Sequence, residues 1–149
     1  MTLEQFKNRI TLISQLLSQK QGDFLFLGAK YVEGAMKFRI FNEGRATDGG
    51  AIGGYKSKSW IKKRSETGRQ VGKVDLEYTG DLRNSIQVVK DGREVVIAII
   101  NDEKYIIAKG QEDRRKKEIF LPTDEEVKEV EEYVGELIDA ELERIIAAL

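Results

Sequence analysis

The residues between 42 and 73 carry neither the spacing of a helix nor the alternation of a strand, and this limits how the chain can fold. The segment contains seven glycines, eight Lys or Arg residues, three acids, one tryptophan and no proline. Irregular segments longer than about 15 residues are uncommon inside compact domains and are usually functional or disordered. We therefore predict that residues 42–73 form a long extended arm, mobile until a partner holds it. On this interpretation, removal of residues 46–70 leaves a folded domain.

Helix signals dominate the residues that precede the arm. Thr2 and Gln5 make a capping box, and apolar residues then recur every three or four positions to about residue 19. A second apolar-rich stretch, residues 24–41, contains two glycines, which weaken a helix but permit close approach of another backbone. We predict one long helix or two successive helices over residues 3–41, ending near Gly44.

A short helix and a β-hairpin are predicted after the arm. Thr79 can cap a helical turn from Gly80 to Ser85. Asp91-Gly92 then separates two β-rich runs, residues 86–90 and 94–100, which is a strong hairpin signal. The second run is β-branched nearly throughout, so we expect a central strand that is buried on both faces.

The last part of the chain is predicted to end in a long helix. Residues 105–110 are compatible with a short helix or another strand, residues 111–118 with a charged connector, and residues 118–121 with a short strand. Thr123 and Glu126 then form a second capping box, which opens a helix to about residue 148. The order of helix, loop, small antiparallel sheet and helix predicts a single α+β domain over residues 1–149.

The composition excludes most catalytic chemistry. The chain contains no histidine and no cysteine, so it cannot form a Ser-His or Cys-His pair, a disulfide or a metal site based on imidazole or thiolate. A Ser-Lys or paired-carboxylate site remains open, without local sequence support. We predict no enzymatic activity, no catalytic residues, no cofactor and no metal. The absence of a signal peptide or an apolar run of membrane length favours a soluble intracellular protein.

Opposite charges are concentrated in two segments, although the net charge of the chain is only −1. Residues 45–73 hold eight basic and two acidic residues, a net charge of +6. Residues 124–143 hold ten acids and a single lysine, a net charge of −9. This asymmetry favours electrostatic contact with a differently charged neighbour, which in a head-to-tail ring would be another copy.

The basic residues of the arm are the first candidate site. Interleaved with aromatic residues, they have a composition that can bind phosphates or insert a ring into a partner. The alternative is a solvated loop whose Trp60 packs back onto the domain. Glycines at 49–54 suggest a phosphate-binding loop, but no strand precedes them and no Gly-Lys-Ser/Thr follows. The candidate interaction residues of the arm are Arg45, Tyr55, Lys56, Lys58, Trp60, Lys62, Lys63, Arg64 and Arg69.

A second basic cluster and the acidic last helix are further candidates. The cluster is either a solvated connector or part of an interface or lumen that meets DNA. The acids of the last helix are spread over five turns, which favours a solvated face or a contact for a basic neighbour over a metal site. The residues of the basic cluster are Arg114, Arg115, Lys116 and Lys117.

One motif resembles a known family. The residues Leu76-x-x-Thr79-Gly80-x-Leu82-x-x-Ser85-Ile86 resemble the tailed-phage virion morphogenesis family, the tail-completion or neck proteins of long-tailed phages and Mu-like prophages. The similarity extends to the glycine-rich loop before the motif and to the hairpin, basic connector and long terminal helix after it. We expect Thr79, Gly80, Leu82 and Ile86 to anchor the loop, with Leu82 and Ile86 in the core.

The resemblance implies a structural virion protein at the head–tail junction, assembled in the host cytoplasm. Its partners would be copies of itself in a ring, with a hexamer as one candidate size, and tail tube, terminator or connector proteins. DNA in the lumen is a further implied contact, and no membrane partner is implied. The alternative function is a DNA-contacting protein that uses the basic residues of segments 45–73 and 114–117 on phosphates.

Overall fold

The computed structural model describes residues 1–77 and 79–149, so Tyr78 lies outside the described residues. The described part has an α+β fold that is mostly helical, as the sequence predicts. In chain order the elements are α1 (Leu3–Gln19), α2 (Gln21–Lys37), a π-helical turn (Phe38–Asn42), α3 (Lys58–Glu66), α4 (Asp81–Ser85), β1 (Ile86–Asp91), β2 (Glu94–Ile99), α5 (Asp102–Arg115) and α6 (Asp124–Ala148).

Helix α1 begins at a capping box, and the helical run that follows it ends just before a glycine. Thr2 and Gln5 form the predicted capping box at the start of α1, and Lys20 separates α1 from α2. After α2 the last turn widens into the π-helical turn, and Gly44 follows with a φ of +66°. A side chain at Gly44 would place its Cβ 2.5 Å from the carbonyl oxygen of Val74, so glycine is required there. Of the two arrangements predicted for residues 3–41, one long helix or two successive helices, the structure has two helices, and they end near Gly44 as predicted.

The sheet consists of one antiparallel hairpin among the described residues. Pairs run from Ile86 with Ile99 to Asp91 with Glu94, and Gly92 has a φ of +63° in the turn. The expectation of a central strand buried on both faces is wrong. Both strands are edges, and Val96 is 39% exposed because only the opposite face of β2 packs against the rest of the protein.

Two predictions between the hairpin and α6 also need correction. Residues 105–110 are helical, which is one of the two structures predicted for them, but the expected connector at 111–118 begins inside the same helix, α5. The expected strand at 118–121 is irregular, because side chains take the hydrogen bonds that a neighbouring strand would provide. Glu112 accepts from the backbone amides of Ile119 and Phe120, while Arg39 donates to the carbonyls of Ile119 and Leu121.

The last helix lies along α1 and α2. Thr123 and Glu126 form the predicted capping box, and Glu126 also makes a buried ion pair with Arg39 at 3.0 Å. Gly28 lets α2 approach Val134 of α6 closely, and the rings of Tyr31 and Tyr133 stack at 4.8 Å. The ion pair and these close contacts hold α6 against α2 and the π-helical turn.

The main apolar core depends on the segment predicted as an arm. Ala46 and Ile52 are fully buried in it, and Arg45 and Ala51 pair in an antiparallel bridge. The same segment contains α3, so the prediction of an extended arm is corrected: residues 42–73 fold back onto the domain. The buried core residues are Ile40, Phe41, Ala46, Ile52, Val74, Ile86 and Ile119.

Candidate assembly surfaces

A basic cleft lies between the folded segment and α5, with a volume of about 950 Å³. It brings together residues from all three predicted groups: the arm, its anchor and the basic cluster. Lys104 of α5 adds a further cation, whereas Asp81 is the only acid among the described residues of the lining. The predicted residues that line this cleft are Tyr55, Lys56, Trp60, Arg64, Thr79, Gly80, Leu82, Arg114 and Arg115.

Arg64 does not have the interaction role predicted for it. Its side chain is almost fully buried, and its guanidinium donates to the carbonyls of Gln70 and Glu77 and to the Asp75 carboxylate at 3.1 Å. Tyr55 lies against the guanidinium at 4.6 Å and bonds the same carboxylate through its hydroxyl. Burial raises the pKa of the Tyr55 hydroxyl above its ordinary value, and the negative charge of Asp75 acts in the same direction. This network explains how a glycine-rich segment can be packed, because each buried charge has a partner.

Arg114 and Arg115 line the cleft, whereas the other two residues of the basic cluster do not. Arg115 is half-buried, and its Nε donates to Gln111. Burial, and then the charge of Arg114, lowers the pKa of Arg115. Lys116 ends α5 in a left-handed conformation, and Lys117 donates to the carbonyl oxygen of Ala51 at 2.7 Å. Lys117 therefore holds the folded segment in place.

The remaining basic residues of the segment lie outside the cleft. Lys58, Lys62 and Lys63 are exposed on α3, and Lys63 lies 5.5 Å from the Trp60 ring. Arg45 and Arg69 are also exposed. The three lysines make α3 a cationic helix, whereas Arg45 lies beside Glu43, to which its guanidinium is 3.7 Å away.

The predicted anchor residues lie in and around α4, with one local difference from the prediction. Ile86 is buried in the core and Leu82 packs against it, as predicted. Gly80, with a φ of +84°, occupies the N-cap position of α4 that was predicted for Thr79. The Thr79 hydroxyl instead accepts from the amide of Asp81. A left-handed N-cap explains why glycine occupies this position.

The acidic residues of α6 form a regular stripe. Six acids recur at alternating spacings of four and three residues, which places them on one face of the helix. All six are exposed. Within residues 1–77 and 79–149, no Lys or Arg lies within ion-pair distance of them. We call this set the acidic stripe: Glu125, Glu129, Glu132, Glu136, Asp139 and Glu143.

Helix α1 exposes an apolar surface that the sequence interpretation did not recognise as a site. It has 17 residues, none of them buried. Leu3, Phe6 and Ile10 are 83%, 54% and 51% exposed. The pattern of an amphipathic helix was visible, but periodicity identifies an apolar face without showing what covers it. The described part of the chain covers only the second half of this face, where Leu16 and Leu17 are partly buried.

No protein-family model, curated protein or solved structure matches the chain. Among the described residues, no helix is long and apolar enough to cross a membrane. In the same residues, no three acidic side chains are grouped closely enough to hold a metal ion.

Proposed function

We propose that this chain is a structural protein of a tailed-phage neck, which completes the tail or joins it to the head by assembling with copies of itself and neighbouring virion proteins. The observation that carries the proposal is the exposed apolar face of α1. The motif at residues 76–86 supplies the phage resemblance, and α1 supplies the physical reason for assembly.

Helix α1 is better suited to an assembly than to a free chain. Short helices are marginal alone in water, and most helices in proteins are stabilised by packing of their apolar face. In α1 the large residues Leu3, Phe6 and Ile10 lie on the solvent side at helical spacing. Exposed apolar patches of this kind mark interaction surfaces. A neighbouring virion protein would cover them.

An apolar groove lies at the C-terminal end of α1, where Leu17 belongs to its lining. It has a volume of about 860 Å³ and lies among α2, β2 and α6. Gly28, Val95 and Val134 are part of its lining. Apolar side chains on α1 and an apolar groove beside it provide the kind of surface on which structural proteins associate.

The test is to replace the α1 surface in phage particles. A variant with Leu3→Ser, Phe6→Ser and Ile10→Ser keeps every buried residue, so it is expected to fold. Electron microscopy should then show unjoined heads and tails, with a matching loss of infectivity. The control is Ile106→Ser, since Ile106 is also an exposed apolar residue but lies on α5. Normal numbers of joined, infectious particles with the triple variant would contradict the proposal.

The cationic cleft favours DNA contact as a second candidate function. Lys56, Lys104, Arg114 and Arg115 converge there, and α3 adds further exposed lysines. Proteins that neutralise phosphates bind less tightly as salt concentration rises. Salt-dependent retention of the protein on non-specific DNA would support this candidate, and no retention at low ionic strength would reject it.

A further inference from the structure

We propose that the acidic stripe of one copy binds the basic cleft of the next copy, so that copies join head to tail. This inference rests on the proposed function, because it names the contact through which the structural protein assembles with itself. It assigns a binding partner to the cleft and a role to six carboxylates that are not paired within the described chain.

The acidic stripe is unfavourable in an isolated copy. Like charges three and four residues apart on one helix face repel each other. Two acids of α6 that lie off the stripe are paired: Glu126 with the buried Arg39, and Glu141 with Arg144. Among the described residues the helix thus has two paired acids off the stripe and a row of six acids without an ion-pair partner on one exposed face. A cationic partner from outside the chain would relieve the repulsion.

The basic cleft has the opposite problem, since it holds a positive charge that its surroundings disfavour. Arg115 is half-buried, yet the hydrogen bond to Gln111 uses only its Nε. If Gly53 carried a Cβ, that atom would lie 3.0 Å from Nη1 of Arg115. The backbone of the folded segment is therefore close to the guanidinium. Burial and the adjacent Arg114 both disfavour the charge on Arg115. A carboxylate in the cleft would accept from the remaining guanidinium donors and offset both effects.

The lining of the cleft suits a carboxylate side chain from a helix. Ile52, Leu82 and Ile107 provide apolar walls, while Arg114 and Arg115 provide charge. A glutamate on a helix offers methylene groups for such walls and a carboxylate for the charges. The opening of the cleft and its volume of about 950 Å³ leave room for several side chains of one helix face.

The two surfaces do not meet within one copy. The stripe lies on α6, which packs along α1 and α2, whereas the cleft lies between the segment 52–64 and α5. No stripe carboxylate pairs with a cleft cation in the described residues. Since every copy carries one stripe and one cleft, their contact is heterologous and repeats from copy to copy. Such contacts generate a ring when the rotation closes.

Two variants test the contact in complementary ways. The cleft variant carries Arg114→Gln and Arg115→Gln, and the stripe variant carries Glu132→Gln and Glu136→Gln. Sedimentation velocity at low ionic strength should show that each variant associates with itself about tenfold or more weakly than the unaltered protein. An equimolar mixture should form a complex of two chains and nothing larger, because only one intact stripe and one intact cleft remain per pair.

Matched controls separate this contact from a general charge effect. Lys58→Gln with Lys62→Gln removes two exposed cations outside the cleft, and Asp113→Asn with Glu118→Gln removes two exposed acids outside the stripe. Both controls should associate like the unaltered protein. Circular dichroism verifies that every variant is folded.

Several results would overturn the contact. The unaltered protein could stay monomeric at low ionic strength and high concentration. The folded variants could still associate normally, or the mixture could form no two-chain complex. Retention on DNA by a chain that does not self-associate would assign the cleft to phosphates instead. The particle test on α1 stays separate, because heads and tails can join through α1 even where the stripe and cleft do not meet.

Discussion

Residues 42–73 and helix α1 contribute to the fold in opposite ways. The segment has little regular structure, yet Ala46 and Ile52 belong to the core and Arg64 is 1% exposed. Helix α1 is regular over 17 residues and buries none of them. The difference shows that regular secondary structure and participation in the core are separate properties. In this protein an exposed apolar surface lies on a helix, whereas a buried charge lies in a glycine-rich segment.

Hydrogen bonds and an ion pair explain why the irregular segment can be buried. Arg64 satisfies two backbone carbonyls and one carboxylate, and Gln70 bonds the other oxygen of that carboxylate, Asp75, at 2.7 Å. Helix α1 needs no such network, because its backbone bonds are internal and its start is capped by Thr2. The segment therefore depends on buried side-chain bonds, whereas the first turns of α1 depend on bonds within the helix.

Deletion should give the largest contrast between the two regions. Replacing residues 46–70 with a short Gly-Ser linker removes Ala46, Ile52 and Arg64, so we expect loss of cooperative unfolding. This replaces the expectation that such a deletion leaves a folded domain. Deleting residues 1–9, all of them exposed, should preserve a cooperative thermal transition measured by circular dichroism. A folded protein without residues 46–70 would contradict the packed segment.

Breaking one buried charge pair should have the next largest effect. Arg64→Ala leaves Asp75 buried without its cation and should lower the free energy of unfolding by about 3–5 kcal/mol. Lys62→Ala, on the same helix but exposed, should change it by less than about 0.5 kcal/mol. Urea denaturation measures both. Equal values for the two variants would indicate that Arg64 is solvated.

Two glycines of the segment should respond differently to alanine. Gly44→Ala should cost about 2 kcal/mol or more, because a left-handed conformation is unfavourable for alanine and its Cβ would meet the Val74 carbonyl. Among the described residues no atom lies within 4 Å of a Cβ placed on Gly54, whose φ is not left-handed, so Gly54→Ala should be neutral or stabilise by about 0.4–1 kcal/mol. Urea denaturation of both variants checks this. Neutral substitution at Gly44 would indicate that the chain does not turn there as described.

Tyrosine titration offers a pH test of the packed segment. The folded pKa of Tyr55 is raised, so its contribution to stability is present below the unfolded pKa and is lost as pH rises through the folded pKa. Absorbance titration should therefore show one tyrosine that ionises at a higher pH than unfolded tyrosine, which ionises near pH 10. Tyr55→Phe should remove that step, and Tyr105→Phe should leave it. If the unaltered protein showed no such late ionisation step, the segment around Tyr55 would be mobile.

The smallest effect on folding is expected in α1. Phe6→Ser should change the free energy of unfolding of the single chain by less than about 0.5 kcal/mol, because the ring is mostly exposed. Urea denaturation at low protein concentration measures this value. A cost similar to that of Arg64→Ala would show that Phe6 is buried in the isolated protein.

Local signals predicted much of the fold. The two capping boxes, the end of the helices near Gly44 and the hairpin turn at Gly92 all depend on residues close in sequence. The irregular segment 118–121 could not be predicted in this way. Its β-rich residues suggested a strand, whereas its backbone is bonded by Arg39 and Glu112 from other elements.

The candidate site was predicted only in part. The composition identified Lys56, Trp60, Arg114 and Arg115 as candidates, but no pattern indicated that the two groups line one cleft. The same composition could not separate Arg64, which is buried, from its exposed neighbours on α3. Charge in a sequence does not show which cations find an internal partner, because those partners are set by tertiary contacts.

Amide hydrogen exchange tests the contrast between the two regions most directly. In the unassembled protein we predict slow exchange at Ala46, Ile52 and Val74, whose amides donate to carbonyls within the packed segment. The first turns of α1 should exchange quickly and become protected on assembly. Fast exchange throughout residues 42–73, together with slow exchange of α1 in the single chain, would contradict the account.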